Sequence, residues 1–191
     1  MLLKKFLRVI RNFICIIGLI VISPVLFFAA IAIIIEDGMP VFFIQERVGK
    51  NHNIFKIIKM RTLKKEAPNT GTHQLDDKYK LICGKLIRKI KIDEFPQLIN
   101  VVQGKINLVG PRPGLQSQVD LTKHRTDKGV YEVKPGITGL SQVLGYDMSD
   151  PLKLAEIDKL YIDNKSIYID ILIIIGTFIK FPRNYLFKLI S

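Results

Sequence analysis

Cysteine and histidine are scarce in this chain of 191 residues, and their scarcity excludes several kinds of site. The two cysteines, Cys15 and Cys83, lie in an apolar run and in a basic stretch, and neither has the spacing of a metal ligand. The three histidines, His52, His73 and His124, are scattered, so a zinc-type pattern is lacking. A disulfide between such different settings is not expected, which favours a reducing compartment.

Acidic residues are also few: 17 Asp and Glu stand against 29 Lys and Arg, for a formal net charge of +12. The mean hydropathy is nevertheless positive. Basic chains commonly bind nucleic acid, but this sequence has no nucleic-acid motif, and its cations are interleaved with long aliphatic runs. The combination favours an anionic membrane surface, or phosphate-bearing substrates at that surface, over nucleic acid.

A long apolar run extends from Phe13 to Ile35. Its roughly 23 residues would measure roughly 35 Å as a straight helix, enough to cross a bilayer. Ser23 and Pro24 interrupt the run near its middle. Proline removes one helical hydrogen bond, and serine can bond back to a carbonyl one turn earlier. A kinked spanning helix, a signal peptide and a re-entrant hairpin are the three alternatives.

Length and flanking charge separate these alternatives in part. The run is longer than the apolar region of a signal peptide and continues past a candidate cleavage site at residues 30–32. Cations flank it on both sides, at Lys4, Lys5, Arg8 and Arg11 before it and Arg47, Lys50, Lys56, Lys59 and Arg61 after it. The positive-inside rule then places both ends in the cytoplasm, which a hairpin satisfies and a single crossing does not. The residues alone leave hairpin and spanning helix evenly balanced.

The remainder predicts a mostly helical α+β fold with a few short strands. Strand patterns cover 41–49 and 54–62, and 106–114 predicts a short strand followed by a turn that carries Arg112. Residues 64–77 predict a loop, and 134–140 a segment bent by glycine and proline. Helical patterns cover 79–92, which is basic and amphipathic, a short apolar stretch ending near Val102, 115–128, 151–164 and 166–180.

An acidic pair, Asp93 and Glu94, lies in the most basic part of the chain, just before Pro96. Because proline is tolerated in a first helical turn, the pair is predicted to lie at a helix N-terminus, where negative charge is favoured. The ordinary interpretation is a cap on a solvated surface. The functional interpretation is that the carboxylates bind Mg²⁺ together with phosphate oxygens, or that one of them attacks phosphorus.

Attack by a carboxylate on a phosphoryl group brings two anions together, so nearby cations must neutralise the charge. The turn-bounded segments of the sequence supply four candidates. Taken singly, each is typical of a solvated or structural residue, and only the combination favours a phosphate site. The candidates are Lys59, Arg61, Arg88 and Arg112.

Five segments in a fixed order resemble one family. They are ISP (22–24), PVFFIQERVGKN (40–51), IFKIIKMRT (54–62), GKLIRKIKIDEFPQLINVVQGKINLVGPRPG (84–114) and VKPGITGLSQV (133–143). Together they look like the bacterial sugar transferases, and within them the small monotopic phosphoglycosyl transferases of the PglC type. The resemblance extends from about residue 10 to about residue 180.

The resemblance implies an activity and assigns residues to it. The activity is transfer of a phospho-sugar from a UDP-sugar to polyprenyl (undecaprenyl) phosphate, with release of UMP and with Mg²⁺ as cofactor, at the start of surface-glycan or glycoconjugate synthesis. Asp93 is implied as the nucleophile that forms a covalent phospho-sugar intermediate, and Glu94, beside Asp93, as the metal-binding residue. The basic positions that would bind phosphate are Lys59, Arg61, Arg88 and Arg112.

The resemblance also implies a topology. Ser23 and Pro24 would form the break of a re-entrant helix-break-helix hairpin over residues 1–38. A compact catalytic domain with amphipathic interfacial helices would follow over residues 39–191. The protein would then be monotopic, on the cytoplasmic face of the bacterial inner membrane, with the lipid bilayer and downstream glycosyltransferases as partners.

The departures from the family pattern are modest. KMRTL stands where members often have KFRTM, and DEFPQ where they often have DELPQ. Leu140 and Ser141 replace the Trp-Ala of a frequent ITGWAQ segment, which leaves the identity of the sugar open. A catalytically silent membrane scaffold of a glycan assembly pathway is the alternative, and the intact acidic pair argues against it.

Overall fold

The computed structural model describes residues 2–68 and 76–179, so His73 and the middle of the predicted loop over 64–77 lie outside the described residues. The predicted α+β, mostly helical fold is confirmed. The elements in chain order are α1 (Leu2–Asp37), β1 (Phe42–Val48), β2 (Ile54–Met60), α2 (Ile82–Lys89), α3 (Gln97–Val102), β3 (Asn107–Val109), α4 (Val119–Asp127), β4 (Gly136–Thr138), α5 (Leu140–Val143), α6 (Pro151–Asp163) and α7 (Ile167–Phe178).

The chain divides into two compact units. The first contains residues 1–45 and 57–102, and the second contains residues 46–56 and 103–191. β1 and β2 pair with each other, as their sequence patterns predict. The base of this hairpin belongs to the first unit and its tip to the second. The boundary predicted between residues 38 and 39 stays a prediction.

In the first unit, α1 is a single helix that continues through Pro24. Ser23 Oγ donates to the Ile20 carbonyl at 2.7 Å, the back-bond expected of a serine before proline. The helix ends at Asp37, and the next residue, Gly38, has a left-handed φ of 67° and donates its N–H to the Ile34 carbonyl at 2.9 Å. By length and composition α1 is able to cross a membrane, and most of its apolar side chains are exposed. The re-entrant hairpin stays a prediction.

α1 packs against α2 and α3. Its side chains reach the last carbonyls of α3, which have no partner within that helix. Arg11 Nη2 donates to the Val101 carbonyl and Asn12 Nδ2 to the Val102 carbonyl, each at 3.4 Å. The C-terminal end of α3 is therefore held on the apolar helix.

α2 is shorter than the helix predicted over 79–92, because Asp77–Tyr79 forms a separate 3-10 turn. Its start is capped from a distance: the Glu36 carboxylate accepts the N–H groups of Ile82 at 2.6 Å and Cys83 at 2.9 Å. A carboxylate is favourable there because the first N–H groups of a helix are unpaired. The apolar side chains of Ile82 and Leu86 remain 81% and 60% exposed, so α2 presents an apolar face outward.

Replacing Gly84 of α2 with alanine is expected to destabilise the first unit, although alanine is the better helix former by about 1 kcal/mol. A Cβ there would lie 2.4 Å from the carbonyl oxygen of Thr62, so the backbone must shift. Such overpacking costs about 1–3 kcal/mol. Thermal unfolding in detergent should show a lower midpoint for Gly84→Ala. The control is Gly18→Ala, whose Cβ would meet Leu98 at an ordinary 3.5 Å; equal midpoints for both variants would contradict the close approach.

The second unit contains a parallel pair, β3 and β4, in which Asn107 is opposite Gly136 and Val109 is opposite Thr138. The prediction of a merely bent segment over 134–140 is therefore wrong for its centre, which forms β4. The core of this unit brings together β3, α5, α6 and α7. Its buried members are Val109, Leu140, Leu144, Ile157, Tyr161, Ile169 and Ile173.

Candidate active site

The acidic pair lies in a 3-10 turn, Ile92–Glu94, between α2 and α3. Lys91, with a left-handed φ of 59°, connects α2 to this turn. The Phe95 N–H donates to the Ile92 carbonyl at 3.2 Å, and further turns lead into α3. Asp93 is only 9% exposed. The pair thus precedes a helix as predicted, but on a turn of its own, and the Asp93 side chain is not the solvated cap of the ordinary interpretation.

Glu94 is paired with a cation that the sequence singled out. Lys59 Nζ of β2 lies 3.0 Å from Glu94 Oε1, with side chains 14% and 19% exposed respectively. Shielding from water strengthens such a pair relative to a surface ion pair. One of the four predicted phosphate-binding cations is therefore in direct contact with the acidic pair.

Arg88 stands in the last turn of α2, just before the acidic turn. Its Nε donates to Thr62 Oγ1 at 2.6 Å. The Thr62 carbonyl also accepts the N–H of Leu81, at the start of α2, at 3.1 Å. Thr62 therefore forms a hydrogen bond with each end of α2, and these two contacts fix the position of Arg88.

A row of polar side chains extends from the acidic turn along α3. Glu94, Gln97 and Asn100 recur every three residues, and Gln97 and Asn100 are each 1% exposed. Asn100 Oδ1 accepts the N–H of Ile58 in β2 at 3.1 Å. The composition of this stretch predicted an apolar helix, and these polar residues were not identified as part of a site. The three-residue spacing of polar side chains in an apolar stretch was the signal that could have found them.

Arg61 has a different environment from the one predicted. Arg61 is 5% exposed, and its guanidinium is held at the exit of α1. It contacts the Asp37 carboxylate and the carbonyls of Asp37, Gly38, Pro40 and Leu63. These contacts use the guanidinium N–H groups that would otherwise donate to a phosphate. The geometry therefore does not favour the predicted phosphate contact of Arg61, which stays a prediction.

Arg112 lies in the second unit, in the turn over residues 110–114. Each carbonyl from residue 111 to residue 114 accepts a hydrogen bond, which makes the turn rigid. The donors, in that order, are the Gly136 N–H at 3.0 Å, Arg125 Nη1 at 2.8 Å, Arg47 Nη1 at 3.1 Å and the Val48 N–H at 3.0 Å. The backbone position of Arg112 is thereby fixed, and its predicted contact with phosphate stays a prediction.

A buried ion pair supports this turn. Arg125 donates to Asp158 Oδ2 through Nε at 3.0 Å and Nη2 at 2.5 Å, and the side chains are 1% and 2% exposed. Ser141 Oγ donates to the other oxygen of Asp158 at 3.1 Å. Burial raises the pKa of the Asp158 carboxyl, and the guanidinium and the hydroxyl oppose that rise. No pattern in the sequence marked this pair. Leu140 and Ser141, which replace the Trp-Ala of the frequent ITGWAQ segment, are both buried in this unit.

The acidic pair has the donors that Mg²⁺ requires. Magnesium takes one or two carboxylates and fills its remaining positions with phosphate oxygens and water. Asp93 and Glu94 can supply such a pair without further protein ligands. Clusters of three or more His, Cys, Asp or Glu residues are absent from the described ranges, and Cys15 and Cys83 are free thiols, as their settings predict.

The sequence profile of the family described as bacterial sugar transferase matches residues 3–184. The chain belongs to this family, and the resemblance stated from the motifs is confirmed. The family and the long apolar α1 together indicate a membrane protein.

Individual relatives agree with this assignment. The "Uncharacterized sugar transferase EpsL" of Bacillus subtilis is 38% identical over 152 residues, or 80% of this chain and 75% of that protein. The "UDP-N-acetylgalactosamine-undecaprenyl-phosphate N-acetylgalactosaminephosphotransferase" of Aeromonas hydrophila is 38% identical over 81% of this chain. The "UDP-glucose:undecaprenyl-phosphate glucose-1-phosphate transferase" of Caulobacter vibrioides is 34% identical over 81%. The matched regions span 38% and 61% of the latter two proteins.

Proposed function

We propose that this protein is a phosphoglycosyl transferase that moves a phospho-sugar from a UDP-sugar to polyprenyl (undecaprenyl) phosphate and releases UMP, as the first step of glycan assembly. The observation that carries the proposal is the acidic turn, where Asp93 is buried beside Glu94, Glu94 is paired with Lys59, and the following helix packs on α1. Family membership and the activities named for two relatives support it. Downstream glycosyltransferases stay predicted partners.

The proposed chemistry has two displacements at one phosphorus atom. A carboxylate oxygen of Asp93 attacks the β-phosphorus of the UDP-sugar, the bond from that phosphorus to the bridging oxygen breaks, and UMP leaves with the electron pair. A phosphate oxygen of the polyprenyl phosphate then attacks the same phosphorus, and the bond to Asp93 breaks, which restores the carboxylate. Asp93 needs no general base, because a carboxylate is ionised near neutral pH.

Positive charge has to accompany each displacement, since attacker and target are both anionic. Lys59 and Arg88 are the cations of the first unit that we assign to this task, because one touches Glu94 and the other ends the helix just before the acidic turn. Asp93 and Glu94 are the residues that would hold Mg²⁺, and the ion when bound would supply further positive charge to the diphosphate.

The membrane arrangement follows from the second substrate, whose phosphate lies at the headgroup plane. We assign α1 to a re-entrant hairpin with its break at Ser23 and Pro24, which keeps the protein monotopic on the cytoplasmic face of the inner membrane. The packing of α3 on α1 supports this, because it links the acidic turn to the membrane segment. The outward apolar face of α2 supports a resting position at the lipid surface.

The test is UMP release by the purified protein in detergent, with Mg²⁺, polyprenyl phosphate and a panel of UDP-sugars. Catalytic release is expected with one or a few of the sugars. Without the lipid acceptor, the same sugar should yield no more than about one UMP per protein, because the phospho-sugar stays on the enzyme. Absence of UMP with every sugar would contradict the proposal and favour the scaffold alternative.

A further inference from the structure

A buried threonine just after β2 holds the side chain of Arg88. Thr62 is 4% exposed, and its Oγ1 accepts the Nε–H of Arg88 at 2.6 Å. Hydrogen bonds from a charged donor are shorter and stronger than those between neutral groups. Arg88 is only half-buried at the end of α2, and a long side chain in such a place loses rotamer freedom when it is held in one orientation. The Thr62 hydroxyl offsets that loss.

The backbone that carries this hydroxyl is fixed on both sides of Thr62. The residue before it, Arg61, donates its N–H to the Val41 carbonyl at 2.7 Å, and the residue after it, Leu63, forms an antiparallel bridge with Lys80. Threonine is branched at Cβ, which restricts its side-chain rotamers. The hydroxyl is therefore a rigid acceptor that is already in place before a substrate binds.

The contact at Nε determines how the guanidinium of Arg88 is oriented. A guanidinium is planar, so a hydrogen bond at Nε restricts the plane in which both terminal nitrogens lie. Two parallel N–H groups of that plane are what an arginine uses to bind a phosphate. Orientation matters because a displacement of about 1 Å in a positioned group can lower a rate roughly a hundredfold.

We infer that Thr62 is a positioning residue for the transfer reaction. Its hydroxyl holds the plane of the Arg88 guanidinium in the orientation that neutralises phosphate charge at the acidic turn. Thr62 touches no reacting atom in this role, and its effect on the reaction passes through Arg88. The inference rests on the proposed function and adds a neutral residue to the cations assigned there.

The first test compares Thr62→Val with Thr62→Ser. Valine keeps the shape of threonine without the hydroxyl, whereas serine keeps the hydroxyl. The kcat/KM of UMP release should fall by roughly tenfold or more in Thr62→Val, the equivalent of one hydrogen bond to a charged group. Thr62→Ser should stay close to the wild-type value. The control is Thr126→Val at an exposed position of α4, which should leave kcat/KM unchanged.

The second test is a double-mutant cycle, which shows whether the effect passes through Arg88. Arg88→Lys keeps the positive charge and replaces Nε with a methylene, so the bond to Thr62 is lost. Adding Thr62→Val to Arg88→Lys should then lower kcat/KM little further. Thermal midpoints in one detergent show whether each variant is folded. Thr62→Ala removes the same hydroxyl from a smaller side chain and should give the same coupling, which keeps the inference testable if valine is not accommodated.

Three results would overturn the inference. The first is an unchanged kcat/KM in folded Thr62→Val. The second is an equal loss from Thr62→Val with and without Arg88→Lys, because Thr62 would then act independently of Arg88. The third is a Thr62→Ser value as low as that of Thr62→Val, because the methyl group and not the hydroxyl would then matter. Failure of the proposed function differs from all three: the wild-type protein itself would release no UMP with any sugar, and the inference would fall with it.

Discussion

Asp93→Asn is expected to abolish turnover, with UMP release lower by roughly 10³-fold or more, as for other variants that lose a nucleophile. Asparagine keeps the shape of the buried side chain, but its amide oxygen is a poor nucleophile and carries no charge. Intact mass of the protein after incubation with the UDP-sugar alone should show a phospho-sugar adduct on the wild type and none on Asp93→Asn. Thermal unfolding should show that the variant is folded.

Two further variants separate the roles of the acids. Glu94→Gln retains the nucleophile, so turnover should fall while a slowly formed adduct still appears in the mass spectrum. Asp127→Asn removes an exposed acid at the end of α4 and should change neither measurement. Full turnover or an intact adduct in Asp93→Asn would end the assignment of the nucleophile.

The parts of the fold that could be predicted are those determined by residues close to one another in the sequence. The β1–β2 hairpin followed from two apolar strands around a turn, and the helices α6 and α7 followed from their periodicity. The contact of Lys59 with the acidic pair was expected only as part of a set of four cations, because the sequence does not show that β2 passes beside residue 94.

Contacts between distant residues account for what could not be predicted. Glu36 caps a helix that begins 46 positions later in the chain, and Asp37 engages Arg61 across 24 positions. No local pattern marks such partners, so the contacts of the Arg61 guanidinium at the exit of α1 could not be predicted from the sequence. β4 was missed for the same reason, since a three-residue strand is defined by its pairing with β3 and not by its own composition.

Removing either partner of the buried Arg125–Asp158 ion pair is expected to lower the free energy of unfolding by about 3–5 kcal/mol. The reason is that the remaining charge is left unpaired in the interior. Arg125→Met removes the guanidinium and leaves the Asp158 carboxylate, whereas Asp158→Leu leaves the guanidinium. Chemical denaturation in a fixed detergent measures both losses. The control is Lys159→Met, which breaks the pair with Asp163 on the exposed side of α6 and should change stability by less than about 1 kcal/mol.

The double variant Arg125→Met/Asp158→Leu should lose clearly less stability than the sum of the two single variants, because no unpaired charge then remains. Some loss should persist, since the Ser141 hydroxyl and the Arg112 carbonyl each lose a partner, and an unsatisfied buried group costs about 1–3 kcal/mol. Additive losses would show that the two charges act independently. A non-additive result would show that the two charges are coupled, as expected of an ion pair whose arginine also donates to the Arg112 carbonyl.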